Sequence, residues 1–209
     1  PTFPGDQLTV RATLDEDSPV ASWTVEMVNQ EDITCVSGAV GLGKSAWNQE
    51  FIRPNTIVPT AESDNKGPLT LDNAKTGEDW LAAELNFSEH EQREFIATKQ
   101  HTNNPLFVGG NAIAHPSWSA GWAEKLLRHN FAIPSSMHTR SRVQHHSKIP
   151  VGTTVFGGAH LLEVYERKAH HFANYDVLLV DSQGSELVQL RHWTIFKIAT
   201  VEERAQVTD

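Results

Sequence analysis

The chain has 209 residues, 39% of them hydrophobic, which is enough to bury one large core or two small ones. Seventeen basic against twenty-six acidic residues leave a formal charge of −9, which argues against a surface that tracks nucleic-acid phosphates. With Cys35 as the single cysteine, no apolar run near the ~20 residues of a membrane helix and no signal-peptide pattern at the start, a soluble cytoplasmic protein is expected, with no intrachain disulfide and no membrane partner.

Three β-rich stretches open the chain at 7–14, 22–29 and 33–42, separated by clusters of Asp, Pro and Glu. They define a first region over 1–48. Residues 49–84 read as a linker, because Pro54, Pro59, Gly67, Pro68 and Gly77 punctuate a segment with little periodicity. Ser88 and Glu91 then form a Ser-x-x-Glu capping box that predicts a helix to about residue 100. A second helix is predicted over 116–128, since proline suits a first turn and Trp118, Trp122 and Leu126 recur four apart on one face. Three long strand-like runs come next in 154–198. In the last of them Val188, Leu190, Thr194, Phe196 and Ile198 share a face with His192, while Gln189, Arg191 and Lys197 point the other way, so one buried sheet face is expected. There, His192 is either a satisfied core histidine or part of a ligand tunnel. A second region thus spans 85–200, and 201–209 is a tail. The two regions are weakly repeated: Phe3-Pro4-Gly5-Asp6 and Ile149-Pro150-Val151-Gly152 each enter a run of three strands.

Gly38-Ala39-Val40-Gly41-Leu42-Gly43-Lys44-Ser45 matches the Gly-x-x-x-x-Gly-Lys-Ser pattern of a phosphate-binding loop, and Asp181 would be its Mg²⁺-associated aspartate. Such a loop must open a long helix, whereas Arg53-Pro54 would end any helix begun at Ser45 within about two turns, and consecutive strands in 138–198 do not suit a parallel sheet. Nucleotide binding is therefore kept only as a remote alternative, with 38–42 read as a strand and Gly43-Lys44 as its exit. Eleven histidines include the adjacent pairs His145-His146 and His170-His171, whose members face opposite ways on a strand. No metal site and no cofactor are expected.

The order of the motifs carries a resemblance. Asn103-Asn104-Pro105-Leu106-Phe107, then Ala112-Ile113-Ala114-His115-Pro116, a Trp-rich helix, and a strand entered through Ile149-Pro150-Val151-Gly152 resemble the MaoC-like hydratases and dehydratases. That resemblance implies an α+β hot-dog fold, an antiparallel sheet wrapped around a central helix, with a partial or degenerate first unit and a complete second one. It also implies an acyl-CoA or acyl-carrier-protein thioester as substrate, enoyl-thioester hydratase or 3-hydroxyacyl-thioester dehydratase chemistry in fatty acid metabolism, and a homodimer or pseudo-dimer of hot-dog units. The family motif Gly-Asp-x-Asn-Pro-Leu-His places Thr102 where the acid/base Asp stands and Phe107 where the His stands. Neither side chain moves a proton near neutral pH, so the usual pair is absent. His115 is the remaining candidate catalytic residue, unless it only caps the helix. Asn104, if more than a turn residue, and Ser117 are candidate substrate contacts. Pro116 replaces a family glycine and removes one N–H donor from the expected oxyanion site. Arg140 and Arg142 share a strand face with Gln144 and are either phosphate contacts for the carrier or part of a solvated face. A thioesterase on the same fold, and a non-catalytic binding or scaffolding protein, are the alternatives.

Overall fold

The structure, a computed structural model, describes residues 2–55 and 57–206 and divides into two compact units, one up to Ala46 and one from Trp47 onward. The first is an antiparallel meander of β1 (Thr9–Leu14), β2 (Ser22–Val28) and β3 (Thr34–Gly41), at the three places where β-branched residues predict strands. Pairing sets Val10, Ala12 and Leu14 opposite Met27, Val25 and Trp23, and these opposite Val36, Gly38 and Val40. One face of the meander is therefore apolar throughout, and Val10, Leu14, Val36 and Val40 on it are each more than half exposed. The phosphate-loop lookalike is β3 and its exit. A 3-10 turn (Ala46–Glu50) comes after it instead of the long helix that phosphate binding requires.

In the second unit β4 (Ala83–Phe87), β5 (Met137–His145), β6 (Thr153–Arg167), β7 (His170–Asp181) and β8 (Glu186–Lys197) form an antiparallel sheet in the order β4-β6-β7-β8-β5. Between β4 and β5 lie α1 (Glu89–Phe95), a π-helical turn (Ile96–Gln100), α2 (Pro116–Ala120) and α3 (Trp122–Asn130), while α4 (Val201–Ala205) comes after β8. Ser88 caps α1 by accepting the Glu91 N–H, as the sequence predicts. The helix expected over 116–128 is two helices joined at Gly121 and runs to Asn130. Its stripe of Trp118, Trp122 and Leu126 is buried with Leu127 against Val155, Ala159, Tyr175, Val177 and Leu190 of the sheet. Each fully buried leucine contributes about 1.5–3 kcal/mol relative to exposure. Long strands let the sheet curl far enough to wrap the helix, and Gly157 allows the closest approach. A Cβ there would stand 2.6 Å from two ring carbons of Trp122.

Three expectations need correction. The segment 49–84 is no free linker: Leu69 and Trp80 join the core, and Thr60 and Trp80 donate backbone hydrogen bonds to Ala82 and Ala159. Nor is only one sheet face buried, since Gln189 and Arg191 on the outer face are 6% and 8% exposed. Alternating polarity in β8 is a poor guide because the outer side chains are polar yet paired. Asp176 takes two hydrogen bonds from Arg191, at 2.7 and 2.8 Å, and one from the Ile52 N–H at 2.7 Å, while Arg191 also reaches the Glu50 carbonyl at 2.6 Å. A buried charge pair with every group satisfied is tolerated where an unpaired one is not. Ile198 lies beyond β8 and is 37% exposed. Finally, of the histidine pairs only His170-His171 lies wholly on a strand, His146 falling past the end of β5.

Candidate functional site

The loop between α1 and α2 is built by local hydrogen bonds that its sequence invites. His101 takes the left-handed conformation (φ 49°) and ends the π-helical turn, its N–H bonded to the Ile96 carbonyl. Thr102 Oγ1 then accepts the Asn104 N–H at 3.2 Å, Asn104 Oδ1 accepts the Leu106 N–H at 3.0 Å, and the Asn104 carbonyl accepts the Phe107 N–H at 2.9 Å. These are the turns that Thr and Asn before proline favour. The buried Gln92 amide donates to the Phe107 carbonyl and ties the turn to α1.

Two motifs far apart in sequence come together here. Ala114 N–H donates to the Ile149 carbonyl at 2.8 Å and Val151 N–H to the Ala112 carbonyl at 3.0 Å, so residues 112–114 run beside 149–151. Gly152, at φ 93°, turns that strand entry and donates to the Phe87 carbonyl at 2.8 Å. Held between them, His115 is the N-cap of α2. Its Nδ1 accepts the Ser117 N–H at 3.2 Å, with the Ser117 hydroxyl 2.8 Å away. Nδ1 therefore keeps its lone pair, and the proton of the neutral ring sits on Nε2. Burial pushes the His115 imidazole below its ordinary value, which favours that neutral form. The Phe107 ring meets it edge-on at 4.6 Å and so lines the same spot.

The arrangement offers the Nε2–H of His115 as a donor beside the Phe107 ring. Thr102 Oγ1 is engaged in its turn, and the Phe107 ring carries no titratable proton. Nor are the first helix amides open. Ser117 N–H is taken by His115, and Trp118 N–H by the His115 carbonyl at 2.8 Å. Arg140 and Arg142 lie elsewhere, opposite Trp193 and Arg191 in the pairing of β5 with β8 and so on the sheet face away from the helix. Their guanidinium groups sit 4.9 and 5.8 Å from the Trp193 ring, and Arg142 is 3.5 Å from Glu50. The structure thus gathers Thr102, Asn104, Phe107, His115 and Ser117 and leaves the two arginines apart.

A second polar cluster is not visible as a unit in the sequence. Glu124, on the sheet side of α3, lies 3.2 Å from His192 Nε2 and accepts hydroxyl hydrogen bonds from Thr194 at 2.8 Å and Ser136 at 2.7 Å. Burial by itself pushes the Glu124 carboxyl up, but hydrogen bonds from His192, Ser136 and Thr194 outweigh it and bring it down to about 2. The His138 ring stacks on His192 at 4.4 Å, and burial is the main cause that lowers the His138 imidazole. The one sequence signal is a glutamate inside a Trp-striped helix, but nothing in a single sequence joins Glu124 to a histidine 68 positions later. Among the described residues no group of three or more His, Cys, Asp or Glu is placed to hold a metal ion.

No protein-family model and no curated relative matches the chain. Solved structures do. The unliganded R-hydratase PhaJ1 from Pseudomonas aeruginosa matches with a TM-score of 0.54 at 12% identity, over 64% of this chain and 88% of that one. The (R)-hydratase from A. caviae involved in PHA biosynthesis matches at 0.50 and 15% identity, over 59% of this chain and 98% of that one. A MaoC-like dehydratase from Rhodospirillum rubrum aligns at 0.49 and 11% identity, over 63% and 99%. The fold of this chain is the α+β hot-dog fold, the architecture of these (R)-hydratases.

Proposed function

We propose that this protein binds acyl thioesters of coenzyme A or an acyl-carrier protein through its hot-dog unit, and that it holds the thioester without hydrating it at an appreciable rate. The observation that carries the reading is the joining of 112–116 to 149–152 at the start of α2, with His115 neutral and Phe107 where a second titratable group would be needed. A neutral imidazole whose Nε2–H is its one donor can hold a carbonyl oxygen, yet it cannot both activate a water and deliver a proton to carbon. Phe107 makes that end of the site drier, which favours binding over proton transfer. Asn104 and Ser117 are the neighbouring polar groups. The same reading takes the working unit as a homodimer or pseudo-dimer in the cytoplasm, with β5 as an outer strand where a second unit could pair. Among the described residues no helix is long and apolar enough to cross a membrane.

The test is calorimetric titration with a non-hydrolysable acyl-CoA analogue, beside a hydration assay that tracks loss of the enoyl-thioester absorbance. Wild type should bind and hydrate little, and His115→Trp should abolish binding with a nearly unchanged unfolding midpoint. If His115→Trp binds the analogue as wild type does, the site lies elsewhere. Rapid hydration that survives His115→Ala would likewise refute the reading.

A further inference from the structure

The geometry points to a second chemical centre on the inner face of the β5–β8 edge: a Ser141–His192–Glu124 constellation that hydrolyses small carboxylic esters and thioesters through an acyl-serine. It is independent of the site at His115, which caps the helix nine residues before Glu124, about 13 Å along a helix axis.

His192 is 2% exposed and is held at one end only. Its Nε2 lies 3.2 Å from Glu124 Oε1, whereas Nδ1 is buried and has no hydrogen-bond partner among the described residues. An ionised carboxylate accepts only, so Nε2 carries a proton toward Glu124, and the proposed centre uses the tautomer in which Nδ1 holds the lone pair. Leaving a buried acceptor unpaired costs about 1–3 kcal/mol. A merely structural pin between α3 and the sheet gains nothing from that choice, whereas a base has to have it. The carboxylate is fixed as an orienting group. Thr194 and Ser136 donate to it, and Arg128 donates to Ser136 at 2.7 Å and to the Ile133 carbonyl at 2.6 Å.

The nucleophile is the cross-strand partner of that histidine. Ser141 pairs directly with His192 in the β5–β8 register, which puts both on one face with Cβ atoms about 5 Å apart. A serine hydroxyl stands close to the sheet, level with Nδ1, the ring nitrogen nearer the backbone, while Glu124 reaches Nε2 from the helix above. The proposed centre requires the χ1 rotamer of Ser141 that turns Oγ toward Nδ1. Relative to the familiar serine triad the ring is reversed, but the roles of nucleophile, base and orienting carboxylate are the same. Ser141 is half-buried on the outer strand β5, and the His138 ring stacks over His192.

In the first step Ser141 Oγ gives its proton to His192 Nδ1 and bonds to the acyl carbon. The carbon–sulfur or carbon–oxygen bond breaks, and the leaving thiolate or alkoxide takes that proton. Water then loses a proton to Nδ1 and attacks the acyl-serine. The acid departs, and Ser141 recovers its proton from the ring.

The experiment is labelling with a fluorophosphonate, read by intact mass and peptide mapping, together with hydrolysis of p-nitrophenyl acetate. Wild type should gain one phosphonyl group, mapped to Ser141. Ser141→Ala should abolish both label and turnover, with an unfolding midpoint close to wild type. Glu124→Gln and His192→Asn should each slow labelling about 100-fold or more. Absence of label on wild type, or label on another residue that survives Ser141→Ala, would overturn the proposal, because peptide mapping of wild type does not depend on any variant folding. Neither result bears on acyl-CoA binding at His115.

Discussion

Replacing Gly157 by alanine tests the packing on which the wrapped helix depends. Taken alone, alanine in a strand interior should stabilise by about 0.5–1 kcal/mol, since glycine loses more freedom on folding. Here the added carbon would stand 2.6 Å from Cε3 and Cζ3 of Trp122 and 3.0 Å from Cδ2 of Leu179. An ordinary carbon contact is about 3.5–4.0 Å, so the indole would have to retreat by about 1 Å. It has no room, being 1% exposed and packed between Trp118 and the sheet. Overpacking of this kind costs about 1–3 kcal/mol or more, and with a rigid aromatic ring as the obstacle the upper end applies. The expected net loss is about 2–3 kcal/mol, a drop of about 4–12 °C in the unfolding midpoint for a chain of this size. Urea titration monitored by tryptophan fluorescence measures it. Combining Gly157→Ala with Trp122→Leu should restore part of the loss, giving a coupling energy above about 1 kcal/mol in the double-mutant cycle. A stabilised Gly157→Ala, or strictly additive effects, would mean that β6 and α3 do not approach as described.

The Glu124 carboxyl is brought from about 4.5 to about 2, so its contribution is fully present above about pH 4.5 and is lost as pH falls through 2. That difference corresponds to about 3 kcal/mol. The stability gap between wild type and Glu124→Gln should therefore shrink toward zero between pH 4.5 and 2, and a gap that does not change with pH contradicts this. Arg191→Met should cost about 3–5 kcal/mol, because it strands the fully buried Asp176 carboxylate. The double variant Asp176→Leu with Arg191→Met should recover most of that in chemical denaturation, and failure to recover would assign the loss to packing.

The elements that local chemistry dictates could be read from the chain. Ser88 and Glu91 announced α1, the four-residue spacing of Trp118, Trp122 and Leu126 marked the buried helix face, and β-branched runs marked β1 to β3, because capping, helical periodicity and strand propensity act within a few residues. Tertiary structure alone decided what covers what. It turned 49–84 from a linker into part of the core, and it buried the polar side of β8 by pairing Arg191 with Asp176 and Glu50. It also separated Arg140 and Arg142 from His115 by putting them on the other sheet face. Above all, it brought Glu124 to His192 across 68 residues and left Nδ1 without a hydrogen-bond partner among the described residues. Such pairings depend on the curl of the sheet and the rotation of the helix within it, which are properties of the whole packed unit and are written in no local stretch of sequence.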